Sequence, residues 1–286
     1  HILPEDIFQA YTGDGGLHNL DPSDFNNYHE YSHAKKEFEN GQFFTPPPLC
    51  ELIISSLKLS SRDLIADLTC GMGRFFNFVP IESNAYGCEL DIRAYKVAHF
   101  LFPDANIECQ DLRTYQPTVR FDYVVGNPPF HLNWWTESYG ELSSQMYYCL
   151  KAAELLKPLG IMALIVPQSF LADTFTDKSQ IRQMEKNFSF LGQFSLPVNA
   201  FHSLGVSEFP TKIQFWQKLS HAEGWKAHPY CTDTILDLPD YSFIEQKAQM
   251  IYERIIHFPK TTLEQNSSRI LLELAKSSNA SQNFKY

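Results

Sequence analysis

No apolar run in this sequence approaches the roughly 20 residues that a bilayer-spanning helix needs. The first residues, His1 to Gln9, lack the basic, apolar and small-residue order of a secretory signal. These two absences predict a cytoplasmic chain with no membrane partner. No Cys-x-x-Cys pair occurs either. Cys50, Cys70, Cys88, Cys109, Cys149 and Cys231 are scattered, several of them inside predicted strands or helices. That scatter argues against zinc ligation or a disulfide framework, and the cysteines read as reduced core thiols. Positive charge is not in excess: the formal net charge is −10. Nucleic-acid affinity draws heavily on phosphate neutralisation, so a free-standing nucleic-acid binder is disfavoured. A catalytic module whose grip on a polymer is local, or is supplied by another domain or chain, stays open. There is no internal repeat or low-complexity block. The initiator methionine is missing and the opening is mid-sequence in character, which predicts a piece of something longer.

What is present is enough to bury one sizeable core with room for a small appendage: 286 residues, 44% hydrophobic and 14% aromatic. Residues 1–23 are a turn-rich lead. A helix is predicted from Asp24, as its cap, to Glu39, with Tyr28, Tyr31 and Phe38 on one face. Gly41 ends it, and Thr45 is placed to cap a second helix that begins at Pro46 or Pro47 and runs to about Leu57. Strands are predicted at Leu64–Leu68, Ala85–Glu89, Ala105–Cys109, Phe121–Val125, Ile161–Val166, Phe190–Leu196 and Lys212–Trp216. Helices are predicted at Asp91–Leu101, Leu142–Leu156, Lys178–Phe188, Phe243–Ile256 and Leu263–Ala275, with a loop-like stretch from Ser220 to Asp240. Strand alternating with helix argues for a parallel sheet covered on both faces.

The stretch Val124-Val125-Gly126-Asn127-Pro128-Pro129-Phe130 organises the chain. A strand that runs into Asn-Pro-Pro stops abruptly, because neither proline donates a ladder hydrogen bond and each restricts the residue before it. Its carbonyls then point outward at the carboxyl end of a strand, where open α/β sheets place ligands. The Asn127 side-chain oxygen and the Pro128 carbonyl can accept from an exocyclic amine, and Phe130 offers a face for stacking. Two acceptors on an aryl amine localise its lone pair and make a poor nucleophile usable. The plainer reading, a strand-end turn closed by prolines, stands beside this one.

Upstream, Thr69-Cys70-Gly71-Met72-Gly73 follows the first strand as a tight turn into a helix, a place where a ligand can approach the backbone closely. Glu89 ends the next strand about twenty residues on, the spacing at which a carboxylate holds both ribose hydroxyls. The phosphate-binding variant is absent because Phe75 and Phe76 follow, so a nucleoside without pyrophosphate is the better fit. Asp111 and Leu112, at the end of the third strand, read either as contacts to an adenine amine and ring or as an ordinary surface turn.

In this order the motifs resemble those of the S-adenosylmethionine-dependent DNA adenine methyltransferases in which the cofactor motifs precede the catalytic one, especially modification subunits of type I restriction systems. The likeness covers roughly Lys35 to Lys218. It rests on Gln42-Phe43-Phe44-Thr45-Pro46, Asp67 through Gly73, Glu89, Asp111, Asn127-Pro128-Pro129-Phe130, and Leu196-Pro197 through Phe201, Gly205-Val206 and Thr211. It implies a seven-stranded Rossmann-like α/β sheet, mostly parallel with helices on both faces. It implies an N-terminal arm and helix at 1–40, an S-adenosylmethionine-dependent catalytic domain at 41–219, and a loop and helical extension at 220–286.

It further implies that Phe44 and Thr45 shape the methionine end of the cofactor and that Asp67, Thr69, Gly71 and Gly73 hold its amino acid portion. Glu89 would take the ribose hydroxyls and Asp111 with Leu112 the adenine. Asn127, Pro128, Pro129 and Phe130 would orient a target adenine flipped from DNA, with Asn127 also bordering the cofactor and either Phe201 or Phe209 as a second flanking aromatic. Leu68 stands where the type I subunits usually have proline, and Met72 where a small residue is common. DNA is the implied partner, with a specificity subunit or target-recognition domain and a restriction subunit as candidates. The rival readings are an RNA-base or protein-glutamine methyltransferase of the same fold, and a catalytically silent module that binds cofactor or DNA. Residues His131, Trp134 and Trp135 are candidates for lining the base pocket or for anchoring a loop.

Overall fold

The computed structural model describes residues 3–11, 22–38, 44–130, 132–172, 177–201, 209–220, 236–237, 240 and 242–256. Three helices lead: α1 (Pro4–Tyr11), α2 (Tyr28–Phe38) and α3 (Pro47–Leu57). The helix expected from Asp24 begins at Tyr28 instead, because residues Pro22–Asp24 form a separate 3₁₀ turn. Thr45 does not cap α3. Pro46 is its N-cap residue and makes no side-chain cap bond, since Pro47 and Pro48 have no N–H to be capped and the Leu49 amide already donates to the Pro46 carbonyl at 3.0 Å.

The apolar runs then become β1 (Ile65–Asp67), β2 (Ala85–Glu89), α4 (Ile92–Leu101), β3 (Asn106–Cys109) and β4 (Phe121–Gly126). Asp91 caps α4 by accepting from the Arg93 amide. The turn at Gly71–Gly73 leads into a short 3₁₀ helix, Arg74–Phe78, where a full helix was expected. An antiparallel hairpin that the sequence reading missed, β5 (Asn133–Thr136) with β6 (Gly140–Ser143), separates the Asn127–Phe130 stretch from α5 (Ser144–Leu155). The remaining elements are β7 (Leu156–Pro167), α6 (Lys178–Asn187), β8 (Phe188–Ser195), β9 (Thr211–Lys218), β10 (Leu236–Asp237) and α7 (Ile244–Ile256). The expected helix at Leu263–Ala275 lies outside the described residues.

One sheet collects eight of these strands in the order β10-β8-β9-β7-β4-β1-β2-β3. Seven were expected; the eighth, β10, is a two-residue parallel pairing with β8 inside the stretch read as loop. β9 runs antiparallel to both its neighbours and every other pairing in this sheet is parallel. β7 begins five residues earlier than expected, taking in Lys157-Pro158-Leu159-Gly160, with a register irregularity opposite Phe121 to Tyr123. Asp122 stabilises that irregular end: its carboxylate accepts from the Leu64 amide at 2.9 Å and from Lys157 Nζ at 2.8 and 2.9 Å.

Alternation along the central strands sorts their side chains onto two cores. Ile65, Val125, Ala163, Ile165, Ile213 and Phe215 pack under α3, α4 and α7, with Leu52, Ala98 and Ile251 facing them. Ala66, Val124, Met162, Leu164, Val166 and Trp216 pack under α5 and α6, with Tyr148, Ala152 and Met184. This is the period of two expected of strands covered on both faces. Among the described cysteines Cys50, Cys70, Cys88 and Cys149 are buried as expected, while Cys109, on the edge strand β3, is exposed. Within the described residues no helix is long and apolar enough to cross a membrane.

Candidate active site

The chain lays down β1, β2 and β3 outward in one direction, then returns to add β4 on the other flank of β1. The strand order reverses between β1 and β4, and a ligand crevice forms at the carboxyl ends on either side of such a reversal. Asp67 ends β1 and pairs in register with Val125 of β4, so it stands beside the start of the Gly126-Asn127-Pro128 corner. Gly126 is required there: a Cβ at that position would lie 2.2 Å from Tyr148 Oη and 3.2 Å from Asp67 Oδ1. Tyr148, from α5, accepts from the Leu68 amide at 3.0 Å and donates to the Val125 carbonyl at 2.5 Å.

Around the end of β1 the structure brings together Phe44, Asp67, Thr69, Gly71, Gly73 and Glu89. Gly73 has φ 80, and a Cβ there would meet the Phe102 ring at 2.9 Å. Phe44 lies against the same turn, 3.2 Å from where a Cβ on Gly71 would sit. Glu89 braces the turn from β2: its Oε2 accepts from the Gly71 amide and its Oε1 from the Asp91 amide, both at 2.7 Å. Thr45 is buried, its carbonyl accepting weakly from Cys50 Sγ at 3.9 Å.

Both carboxyls of this bank are raised above their ordinary values. Burial pushes the Asp67 carboxyl up to about 7; the Thr69 amide pulls it back, neighbouring Glu89 adds to the rise, and the Tyr148 hydroxyl again opposes it. Burial raises Glu89 as well, against the Asp91 and Gly71 amides. For an Asp raised in the folded state, the native protein holds a proton that the unfolded chain has released between the ordinary value of 3.8 and about 7. Without ligand, stability is therefore expected to rise as pH falls from about 7 toward 4, and to be lost again as pH climbs through 7. Melting temperatures across that window test this, and Asp67→Asn should flatten the dependence.

Asp111 sits at the end of β3, the strand beyond Glu89. Its carboxylate is clasped by Arg113, whose backbone amide, Nε and Nη2 all reach it, and the Arg113 guanidinium holds the Asp111 carboxyl below its usual range. Leu112 is buried beside it. At the end of β4, Asn127 and Pro129 are half-buried and Pro128 and Phe130 buried. The Phe130 ring stacks on Phe209, centroids 5.5 Å apart and planes 21° apart, and Phe201 is buried in the same core as Phe130. Of the two candidate second aromatics, Phe209 is the one whose ring stacks on Phe130. Trp134 packs edge-on to Tyr147, an anchor contact, and Trp135 is exposed. Gly41, Gln42, Phe43, His131, Gly205 and Val206 lie outside the described residues.

Sequence reasoning missed Tyr148 and Ser144. Ser144 is fully buried at the start of α5, and its hydroxyl donates to the Pro129 carbonyl.

The architecture, with the reversed strand β9 inserted between β7 and β8, is that of the α/β methyltransferases. The N-6 DNA Methylase family model matches residues 26–250, and the chain belongs to that family. S-adenosylmethionine is its cofactor. Over 211 residues the chain is 25% identical to "Defense against restriction protein B" of Escherichia phage P1, covering 70% of this chain and 8% of that protein. Over 106 residues it is 28% identical to the type II methyltransferase M.CvrRI of Paramecium bursaria Chlorella virus XZ-6E, covering 36% of this chain and 28% of that one. The chain thus spans less than a third of either relative. Among solved structures, the M protein of the type I restriction enzyme EcoKI aligns with TM-score 0.59 at 19% identity, over 87% of this chain and 62% of that one. The type I methyltransferase subunit of Streptococcus thermophilus aligns with TM-score 0.58 at 18% identity, over 78% and 56%. At those identities the structural likeness speaks to the fold.

The residues of the β1 bank fit the cofactor. Gly71 and Gly73 let the turn pack directly on Phe44, Phe76 and Phe102, and Asp67 is a buried carboxylate, met by a backbone amide and a phenol, suited to a cationic amino group.

Proposed function

We propose that this chain methylates the exocyclic N6 amine of adenine in DNA. The observation that carries the reading is the juxtaposition of two banks at one switch point: Asp67 with the Gly71–Gly73 turn that follows β1, and Asn127-Pro128-Pro129-Phe130 following β4, with Asp67 and Val125 in register and the two strand ends joined through Tyr148. In this reading Asp67, Thr69, Gly71, Gly73, Phe44 and Thr45 hold the methionine portion of S-adenosylmethionine. Glu89 takes the ribose hydroxyls, and Asp111 with Leu112 the adenine. Bound there, the cofactor supplies a methyl group on a sulfonium centre.

The chain's own work is positional. Asn127 Oδ1 and the Pro128 carbonyl accept the two amine hydrogens and turn the nitrogen lone pair toward the donor bank. Phe130 supports the ring of a base flipped out of the duplex, and Pro129 keeps the corner stiff. Residues 41–219 form the catalytic unit of this reading, flanked by an arm at 1–40 and an extension at 220–286. A net charge of −10 leaves target choice to another domain or to a specificity subunit, in the manner of restriction-modification assemblies, in the cytoplasm.

Two expected results follow from these assignments. Because Asp67 must be ionised to meet a cationic amino group, cofactor affinity is expected to fall as pH drops below about 7, measured by calorimetry across that range. Because Phe209 stacks on Phe130, Phe209→Ala is expected to lower kcat/KM on DNA by about 10-fold or more, on the scale of one lost aromatic stack. Transfer of tritiated methyl to DNA, RNA and protein, followed by nucleoside analysis, tests the whole reading. N6-methyladenine in DNA supports it, whereas label confined to RNA or to protein glutamine overturns it.

A further inference from the structure

The corner from Asn127 to Pro129 carries two prolines in succession. Pro128 and Pro129 have no N–H to give, so the carbonyls around them need donors from elsewhere. α5 supplies them from a single face. Ser144 and Tyr148 are four residues apart on this helix and therefore lie one above the other. Ser144 Oγ donates to the Pro129 carbonyl in a short hydrogen bond, and Tyr148 Oη donates to the Val125 carbonyl at 2.5 Å. The Ser144 amide adds a bond to the Leu132 carbonyl at 2.8 Å. One hydroxyl thus grips the chain just before Gly126, and the other grips it at the second proline. Both side chains are 0% exposed, so neither has room to drift.

Tyr148 also reaches the other bank. It accepts from the Leu68 amide at 3.0 Å and lies against Asp67, whose Oδ1 is 3.2 Å from the same Gly126 Cβ position that Tyr148 Oη crowds. A single phenol is therefore bonded to the ends of both strands that flank the switch point.

Resting on the reading above, the geometry points to Ser144 and Tyr148 as positioning residues: a two-hydroxyl clamp on α5 that sets the acceptor corner at a fixed offset from the cofactor bank. Tyr148 bridges the banks, and Ser144 pins the far end of the corner. Methyl displacement is sensitive to that offset, since a misplacement of about 1 Å costs roughly 10²-fold in rate. The phenol has one proton to give, and both the Val125 carbonyl and the Asp67 carboxylate face it. Removing it loosens the corner and takes from Asp67 a group that favours its charged form. Among the described residues, the titratable groups coupled to Asp67 include Glu89 from β2, Cys50 from α3 and Cys70 from the turn; burial keeps both thiols neutral, and the Arg74 guanidinium also acts on Cys50.

The test compares Tyr148→Phe and Ser144→Ala with wild type in the full chain. Two readouts are taken: single-turnover methyl transfer to DNA at saturating cofactor, and the pH midpoint of S-adenosylhomocysteine binding by calorimetry. Both variants are expected to transfer about 10- to 100-fold more slowly with little change in the KM for cofactor. Only Tyr148→Phe should move the binding midpoint, and upward. A merely structural role would lower melting temperature and leave the pH midpoint and the kcat-to-KM split untouched. Wild-type transfer rates in both variants, or a midpoint unmoved in Tyr148→Phe, overturn the clamp. A wild-type chain that binds cofactor without methylating DNA sinks the proposed activity instead, and the midpoint of Tyr148→Phe still decides the bridge.

Discussion

Asn127→Ala is expected to cut methyl transfer to DNA by at least about 10²- to 10³-fold, the loss seen when one preorganised acceptor or donor is removed from a reacting centre. Cofactor affinity should stay nearly intact. The separation follows from where the residues sit. The groups assigned to the cofactor lie after β1, β2 and β3 and just ahead of α3, and the Gly71 turn is braced by Glu89 without help from β4. Asn127 follows β4, beyond Gly126, and its backbone course is set by Tyr148 on one side and Ser144 on the other. Truncating its amide therefore removes an acceptor without dismantling the cofactor bank. Single-turnover transfer and calorimetry on the same preparation test the split. An equal loss of cofactor affinity would move Asn127 from the acceptor side of the reaction to the donor side.

Much of this arrangement is legible in the sequence because the strands are short apolar runs that end on chemically distinctive residues. Asp67, Glu89 and Gly126-Asn127 each close such a run, and the observed ends of β1, β2 and β4 fall within one residue of the expected ones. The parallel order could be anticipated because helices intervene between most of the strands. What could not be read are features with no local signature. The β5–β6 hairpin has four-residue strands, and Gly140 at φ 72 is its one glycine. β10 is two residues long, too short to show any period. The cap of α3 was misplaced because a run of three prolines removes the very amides that Thr45 would have capped. Ser144 and Tyr148 look in sequence like ordinary core positions of an apolar helix. Their partners are 15 and 23 residues away or, for Leu68, 80, so only the fold brings the hydroxyls to the corner.

The same crowding makes Gly126→Ala the most disruptive single methyl in the site. Ordinary contacts between a Cβ and its neighbours begin near 3.4 Å, and here the methyl would stand 2.2 Å from Tyr148 Oη and 2.8 Å from Cζ. Tyr148 cannot swing aside into solvent, because it is wholly buried between Leu68, Val125 and the core under α5. Displacing it breaks two hydrogen bonds at once and leaves the Leu68 amide and Val125 carbonyl buried without their partner, at about 1–3 kcal/mol each. Overpacking adds a further ~1–3 kcal/mol. A drop in melting temperature of roughly 6–12 °C is therefore expected for a loss of ~3 kcal/mol in a domain of this size. The remedy discriminates between mechanisms. If the clash is with the phenol oxygen, then Tyr148→Phe in the Gly126→Ala background should recover part of the lost stability, although Tyr148→Phe alone destabilises. That sign reversal is the signature of two residues competing for one volume. If the losses simply add, the strain of Gly126→Ala lies in the backbone of β4, and the tyrosine is a bystander to it.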